Sequence, residues 1–127
     1  MSPELTREWV AKAEEDYAAL EILARQKKRR VLDSICFQAQ QCAEKYLKAL
    51  LSSHNVAPPR THDLISLANL LSPQEPTIEL TKEFLHHLNR YSVGTRYPGE
   101  SATASQAKAA CRAAKEIRQF GRARLKP

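Results

Sequence analysis

Apolar residues recur at three- and four-residue spacing through each long segment of this 127-residue chain. The spacing matches the 3.6 residues of an α-helical turn, so each segment is predicted to be a helix with one apolar side. Most of the glycines and prolines fall between these segments, where they would end one helix before the next begins. Long helices joined by short connections predict an all-α antiparallel up-and-down bundle of four to five helices.

Five helices are expected. The first begins at Ser2-Pro3, a good N-cap followed by proline at the first helical position, and ends near Gln26. The second is expected to be capped by Asp33 and to run to about Ser53, and a short third helix is capped by Thr61 or Asp63. The fourth runs from about Thr77 to Tyr91, and the fifth starts at Ser101 or Thr103. The side chains expected to be largely buried are Trp9, Tyr17, Phe37, Leu47, Leu50, Leu67, Leu88 and Ile117.

The inward side of the fifth helix is unusually small. Its stripe consists of Ala107, Ala110, Cys111, Ala114, Ile117 and Gly121. Small side chains permit close helix approach, and we take the stripe as one reason to expect a homodimer.

Length and composition favour one soluble domain. No repeat, linker or low-complexity tail predicts a second unit, so residues 1–127 are expected to form one domain. The chain has no run of about 20 apolar residues and no signal-peptide core, which predicts a cytoplasmic protein that does not enter a membrane. The cysteines lack C-x-x-C spacing and no two histidines have zinc-ligand spacing, so buried thiols are expected, and neither a metal nor another cofactor.

The charge favours an anionic partner. The net charge is +6 and the sequence pI is about 9.4, which favours a polyanion or an acidic protein. Basic residues cluster at the ends of the first and last helices, over 25–30 and 115–126. Cations also favour helix C-termini through the helix dipole, so this second interpretation stays open for each cluster.

One ten-residue stretch, 89–98, combines two arginines, two tyrosines, a glycine and a proline. Arginine suits the planar, two-pronged recognition of phosphate, and tyrosine offers a ring for stacking a base. The glycine and proline place Thr95, Arg96 and Tyr97 on a turn where the fourth helix ends. We therefore expect the functional site here, with Arg90 and Arg96 as the main anion contacts.

A second group of polar residues lies on the second helix. Gln41, Glu44, Lys45 and Lys48 have i, i+3, i+4 and i+7 spacing, so they form a ridge beside the apolar stripe. We expect the ridge to supply secondary contacts to a nucleotide or RNA. The alternative is a solvated face on which Glu44 and Lys48 form an ordinary i,i+4 pair.

Four motifs follow one another along the chain: Trp9…Ala13-x-x-Asp16-Tyr17, Cys36-Phe37-x-Ala39-Gln40-Gln41-x-x-Glu44-Lys45-x-Leu47-Lys48, Pro59-x-x-His62-Asp63-Leu64 and Arg96-Tyr97-Pro98. In this order they resemble the HEPN family, small helical-bundle domains of bacteria and archaea that also occur in higher eukaryotes. The resemblance covers about Leu5 to Leu125 and implies a four- or five-helix bundle, usually dimeric, often paired genetically and physically with a minimal nucleotidyltransferase.

The chain departs from one family feature and keeps another. Many members of the family are metal-independent ribonucleases with an arginine, four to six arbitrary residues and then a histidine. Counted from Arg90, those positions hold Thr95, Arg96 and Tyr97, so the usual base is missing. In related toxin–antitoxin pairs, a tyrosine two residues past that histidine can accept AMP from the nucleotidyltransferase. The resemblance places this acceptor at Tyr97; the alternative is a tyrosine that packs at the end of the fourth helix.

Three functions remain open. We favour a homodimeric nucleotide- or RNA-binding partner of a minimal nucleotidyltransferase in a toxin–antitoxin-like module, without the usual ribonuclease motif. The first alternative is a divergent metal-independent endoribonuclease toxin, in which Arg90 and Arg96 act with a histidine from elsewhere, such as His62. The second is a basic helical dimer that binds nucleic acid.

Overall fold

The computed structural model describes residues 3–26, 31–93 and 97–125, and within these ranges the chain is helical with no strand. The all-α bundle predicted from the apolar spacing is therefore confirmed. The helices are α1 (Pro3–Ala24), α2 (Leu32–Ser53), α3 (Leu64–Leu71), α4 (Lys82–Asn89) and α5 (Ala104–Arg124), with a 3₁₀ segment at Pro76–Thr81. None of the helices in these ranges combines the length and apolar character needed to cross a bilayer.

The α2 helix is the centre of the bundle, with α1 and α5 packed along it and α3 and α4 on the remaining side. Most of its residues are buried, which explains why its sequence has the richest apolar stripe. The apolar residues at three- and four-residue spacing along α2 are all buried: Cys36, Ala39, Ala43, Leu47 and Leu50.

Two of the predicted helix starts are confirmed by side-chain caps. Asp63 caps α3 by accepting hydrogen bonds from the backbone N–H groups of Ile65 and Ser66. Thr103 caps α5 in a reciprocal capping box with Gln106. The caps therefore fix the first residue of each helix, Leu64 in α3 and Ala104 in α5.

The predicted N-cap of α2, Asp33, lies two residues after the observed one. The helix begins at Leu32, and its N-cap residue, Val31, makes no side-chain cap. The Asp33 carboxylate lies in the first turn and accepts a hydrogen bond from the backbone N–H of Ala102 at 2.7 Å. Asp33 therefore fixes the segment before α5 instead of capping its own helix.

The predicted fourth helix, 77–91, is divided in two. Residues Pro76–Thr81 form a 3₁₀ helix, and the α-helical part covers only Lys82–Asn89. The Thr81 hydroxyl donates to the carbonyl of Ile78 at 2.7 Å, a local bond that competes with regular α-helical geometry. The inward positions survive the division, because Ile78, Thr81, Leu85, Leu88 and Tyr91 are buried.

The predicted core is correct for its aliphatic members and overstated for its aromatic ones. Leu47, Leu50, Leu67, Leu88 and Ile117 are fully buried. Trp9, Tyr17 and Phe37 are only partly buried. The first two rings lie under cations, with the Lys48 ammonium 5.5 Å from the Trp9 ring and the Arg118 guanidinium 4.3 Å from the Tyr17 ring.

The small stripe of α5 faces α2 of the same chain. A Cβ atom at Gly121 would lie 2.5 Å from Cδ1 of Tyr46, closer than non-bonded carbon atoms approach. Glycine is thus required where the two helices meet. The stripe explains packing inside the bundle, so it no longer supports the expected homodimer.

One ion cluster connects α1, α2 and α5. Arg118 donates two hydrogen bonds to the Glu14 carboxylate at 2.7 and 2.8 Å, the Tyr46 hydroxyl donates to the same carboxylate, and Arg122 lies 3.3 Å from it. The Arg118 hydrogen bond is the largest cause that lowers the pKa of Glu14 from 4.5 to about 2. We call these four residues the Glu14 cluster.

Candidate functional site

The structure describes a turn at the C-terminal end of the predicted segment 89–98. The α4 helix ends at Asn89, and residues 97–100 form a tight turn in which the Glu100 backbone N–H donates to the Tyr97 carbonyl at 2.9 Å. Gly99 has a φ of +90°, which favours glycine, and proline precedes it as in a type II turn. Thr95 and Arg96, with Gly94, lie outside the described residues.

Tyr97 is held by its backbone and exposed at its ring. Its backbone N–H donates to the Glu100 carboxylate at 3.3 Å, so both polar backbone groups of Tyr97 bond within the turn. Its side chain is 72 % exposed. The turn therefore presents the phenol to solvent from a fixed backbone.

A pocket of about 280 Å³ opens next to this turn. Arg90 is exposed on one side of it, and burial raises the pKa of the neighbouring Tyr91 phenol while the Arg90 guanidinium opposes that shift. The ring of Tyr91 is fixed from behind by an edge-on contact with His87. The lining residues are Arg90, Tyr91, Glu100, Ser101, Ala102 and Gln106.

The α2 ridge contains a buried ion pair. The Lys48 ammonium donates to the Glu44 carboxylate at 3.1 Å, and the two side chains are only 7 % and 5 % exposed. Their interpretation as an ordinary solvated pair is therefore wrong. Gln40 donates to the same carboxylate at 3.2 Å and in turn accepts from Gln41 at 2.8 Å.

His62 extends this network to the surface. Its Nδ1 lies 2.9 Å from Oε1 of Glu44, and its backbone carbonyl accepts from the Gln40 amide at 3.1 Å. A carboxylate that already pairs with Lys48 can only accept, so Nδ1 of His62 donates to Glu44 and Nε2 is the ring nitrogen that faces away from it. The His62 side chain is 67 % exposed, which leaves that second nitrogen accessible.

Asn89 connects the His62 loop to the end of α4. Its side-chain oxygen accepts from the backbone N–H of Leu64 at 2.8 Å, and its amide nitrogen donates to the Asp63 carboxylate at 3.0 Å. His62 precedes Asp63, and Arg90 follows Asn89, so Arg90 and this histidine belong to one corner of the bundle. Asn89 and Gln40 were not predicted as site residues, because a side-chain amide has no distinctive spacing.

The two lysines of the ridge have intramolecular partners. Lys45 donates to the Asp16 carboxylate of α1 at 2.5 Å, and Lys48 is bonded to Glu44 under the Trp9 ring. An incoming anion would have to compete with these carboxylates.

The remaining histidines are explained by helix packing. His54 lies at the end of α2 and its Nε2 is 2.9 Å from the Glu75 carboxylate. His86 is exposed, whereas His87 is partly buried against α5, so only one of the pair faces inward. Within the described ranges, no group of three or more histidine, cysteine and acidic side chains could hold a metal ion.

These features define a small helical bundle with a polar corner formed by the α2 network, the His62 loop and the turn after α4. The HEPN domain model matches residues 6–124, most of the chain, and the protein belongs to the HEPN family. No curated protein and no solved structure matches the chain.

Proposed function

We propose that this HEPN protein is a nucleotide- or RNA-binding partner of a minimal nucleotidyltransferase in a toxin–antitoxin-like module, and that Tyr97 accepts AMP from that partner. HEPN domains are commonly paired with nucleotidyltransferases. The observation that carries the proposal is the 72 % exposure of Tyr97 on a backbone fixed by the Tyr97–Glu100 turn. A phenol presented in this way can enter the active site of another protein.

The transfer is a phosphoryl substitution with ATP as the co-substrate. The Tyr97 oxygen attacks the α-phosphorus, a new phosphorus–oxygen bond forms, and the bond to pyrophosphate breaks as pyrophosphate leaves with the electron pair. The phenol proton passes to a base of the nucleotidyltransferase. Arg90, in the adjacent pocket, supplies positive charge for the phosphate group during this step.

Labelling with ATP that carries a labelled α-phosphate tests the acceptor. Copurification from the native cells, followed by mass spectrometry, identifies the nucleotidyltransferase to be used. The Tyr97→Phe protein should incorporate no AMP, while Tyr17→Phe on α1 should be labelled like the parent. Labelling of Tyr97→Phe at the parental level would rule out this acceptor.

Arginine substitutions test the anion site. Replacing Arg90 or Arg96 with lysine should weaken AMP binding despite the retained charge, because the two-pronged contact is lost. Isothermal titration of each variant with AMP measures the effect. Unchanged affinity in both variants would contradict the assignment.

Homodimer formation is part of the proposal. A two-fold axis near the turn would bring both copies of Arg90 together and concentrate positive potential for an anion. Light scattering should give twice the mass of the chain at micromolar concentration. A monomer mass would count against this arrangement.

A second candidate function is a divergent endoribonuclease, which the orientation of His62 favours. A buried carboxylate that holds Nδ1 of an exposed imidazole leaves Nε2 able to take a proton from a ribose 2′-hydroxyl. Arg90, at the same corner, would stabilise the developing charge on the phosphate. The Glu44–His62 pair would thus replace the missing histidine of the usual motif.

Cleavage assays separate the two candidates. Under the first proposal the nuclease-free chain cleaves RNA very little, and Thr95→His should raise cleavage, since a positioned base typically contributes about 10²–10⁴-fold. Robust cleavage by the unaltered chain that is lost in both His62→Ala and Arg90→Ala would favour the second candidate. The Thr61→Ala protein, in which a residue next to His62 is changed, is the control, and it should cleave RNA like the parent under both candidate functions.

A further inference from the structure

The exposed side of α5 carries a line of cations that the polar corner does not use. Lys108, Arg112 and Lys115 are exposed and follow one another at four- and three-residue spacing, so they project from one side of the helix. We call these three residues the α5 stripe. It faces away from the buried stripe that packs on α2.

The α5 stripe differs from the other basic residues of the same helix. Arg118 and Arg122 pair with Glu14, and Arg124 pairs with Glu75. The three stripe residues, in contrast, form no ion pair with any carboxylate in the described ranges. Unpaired cations arranged in a row attract an anion with regularly spaced charges.

Charge is distributed unevenly between the two outer helices. The α5 helix has one acidic residue, Glu116, against six basic residues. The α1 helix has the opposite character, with two basic residues, Arg7 and Lys12, against six acidic ones. The positive potential is therefore concentrated on one side of the bundle and does not follow simply from the net charge.

The composition of the stripe favours a nucleic acid over a protein surface. Protein interfaces are centred on buried aromatic or large aliphatic side chains. The exposed large apolar residues in the described ranges lie elsewhere, at Leu5, Ile22, Leu70, Leu80, Val93 and Tyr97. A backbone of phosphates needs only a row of cations, and at ~1.5 Å per residue the stripe spans about 10 Å, enough for about three phosphates of one strand.

We propose that the α5 stripe binds the phosphate backbone of RNA. This inference rests on the proposed function for the class of ligand and deepens it, because the turn would hold a single nucleotide while the stripe holds the strand. A mononucleotide has too few phosphates to bind along the stripe. Binding of AMP and labelling of Tyr97 therefore report on the turn alone.

The test compares two triple variants that lose the same charge. One is Lys108→Ala/Arg112→Ala/Lys115→Ala, and the other is Arg7→Ala/Lys12→Ala/Arg60→Ala, drawn from exposed cations away from α5. Alanine is the best helix former, so the exposed positions of α5 tolerate the change. Circular dichroism verifies that both variants keep the parental helicity.

Fluorescence anisotropy with a labelled single-stranded RNA of about 16 nucleotides measures the affinity over a range of salt concentrations. The stripe variant should bind about tenfold more weakly than the parent, and the slope of log affinity against log salt should fall by about 2, since each phosphate contact on a single strand contributes about 0.7. The control variant should stay within about twofold of the parent. Unchanged RNA affinity in the stripe variant, or an equal loss in the control, would overturn the proposal.

Binding of AMP, labelling of Tyr97 and copurification of the nucleotidyltransferase separate this inference from the proposed function. Loss of RNA binding in the stripe variant, with AMP binding and Tyr97 labelling intact, supports both. The same loss in a chain that is never labelled at Tyr97 supports the α5 stripe and refutes the acceptor. Loss of the nucleotidyltransferase from the stripe variant, with RNA affinity unchanged, would assign the stripe to a protein and overturn the proposal.

Discussion

Glu14 and Glu44 are both carboxylates held by several donors, but their donors come from different parts of the chain. The donors to Glu14 come from α2 and α5, so the Glu14 cluster joins three helices. Two donors to Glu44, Gln40 and Lys48, belong to the same helix as Glu44 itself. The third contact of Glu44 is an exposed histidine. The Glu14 cluster stabilises the packing of three helices. The contacts of Glu44 instead fix the orientation of His62, which holds no helices together.

The largest effect is expected from removing the buried charge of Glu44. Glu44→Ala leaves the Lys48 ammonium buried without its carboxylate, and breaking a buried pair on one side costs about 3–5 kcal/mol of unfolding free energy. Urea unfolding at neutral pH measures it. Glu44→Leu/Lys48→Met, which removes both charges, should lie close to the parent. Equal losses in the single and double variants would show that packing, not charge, matters here.

The second-largest loss of unfolding free energy is expected from Gly121→Ala. Alanine normally stabilises a helix interior relative to glycine, but here the added methyl group meets the Tyr46 ring and should cost about 1–3 kcal/mol. Because the Tyr46 hydroxyl donates to Glu14, a displaced ring also loosens the Glu14 cluster. The cost should vanish when Gly121→Ala is introduced into a Tyr46→Ala chain. A destabilisation that persists in that background would locate the clash elsewhere.

Acid titration tests the Glu14 cluster itself. The pKa of Glu14 is lowered in the folded chain, from 4.5 to about 2, so its contribution to stability is complete above the higher value and is lost as the pH falls toward the lower one. Because the carboxylate is partly exposed, we expect a loss of about 1 kcal/mol over this range. The Glu14→Gln chain should lack this component, which thermal unfolding at several pH values would reveal. Parallel pH profiles for the two chains would contradict the assignment.

The smallest effect on stability is expected at His62. Its exposed ring receives its orientation from Glu44 but holds no helices together, so His62→Ala should change the unfolding free energy by less than about 0.5 kcal/mol. The matched variant is Arg118→Ala, which removes the main donor of the Glu14 cluster and should cost more. A large loss of unfolding free energy in His62→Ala would show that the Glu44 site stabilises the bundle as the Glu14 cluster does. It would contradict the proposed difference between the two carboxylates.

The sequence predicted the helical class and several helix ends because those depend on local rules. Asp63 and Thr103 cap their helices through bonds to residues two or three positions away, and such spacing is visible in a sequence. The start of α2 was missed because Asp33 bonds to Ala102, a partner that only the folded chain supplies. The 3₁₀ segment at Pro76–Thr81 was also missed, because the three- and four-residue apolar spacing continues through it as it would in an α-helix.

The roles of the candidate site residues stay predictions. The unusual composition of 89–98 singled out Tyr97, whose ring is exposed. The burial of Glu44 and Lys48 could not be predicted, because an i,i+4 pair has the same spacing on a solvated face and on a covered one. The orientation of His62 depends on Gln40 and Glu44, which are far from it in sequence and adjacent to it only after folding.

The side-chain amide of Asn89 joins two helix ends. Its oxygen accepts from the backbone of Leu64 and its nitrogen donates to the carboxylate of Asp63, so two hydrogen bonds hold the last turn of α4 to the first turn of α3. A movement of the end of α4 would therefore stretch bonds to the residues that directly follow His62. We expect a bound strand or a docked partner that displaces Arg90 to shift the His62 loop as well.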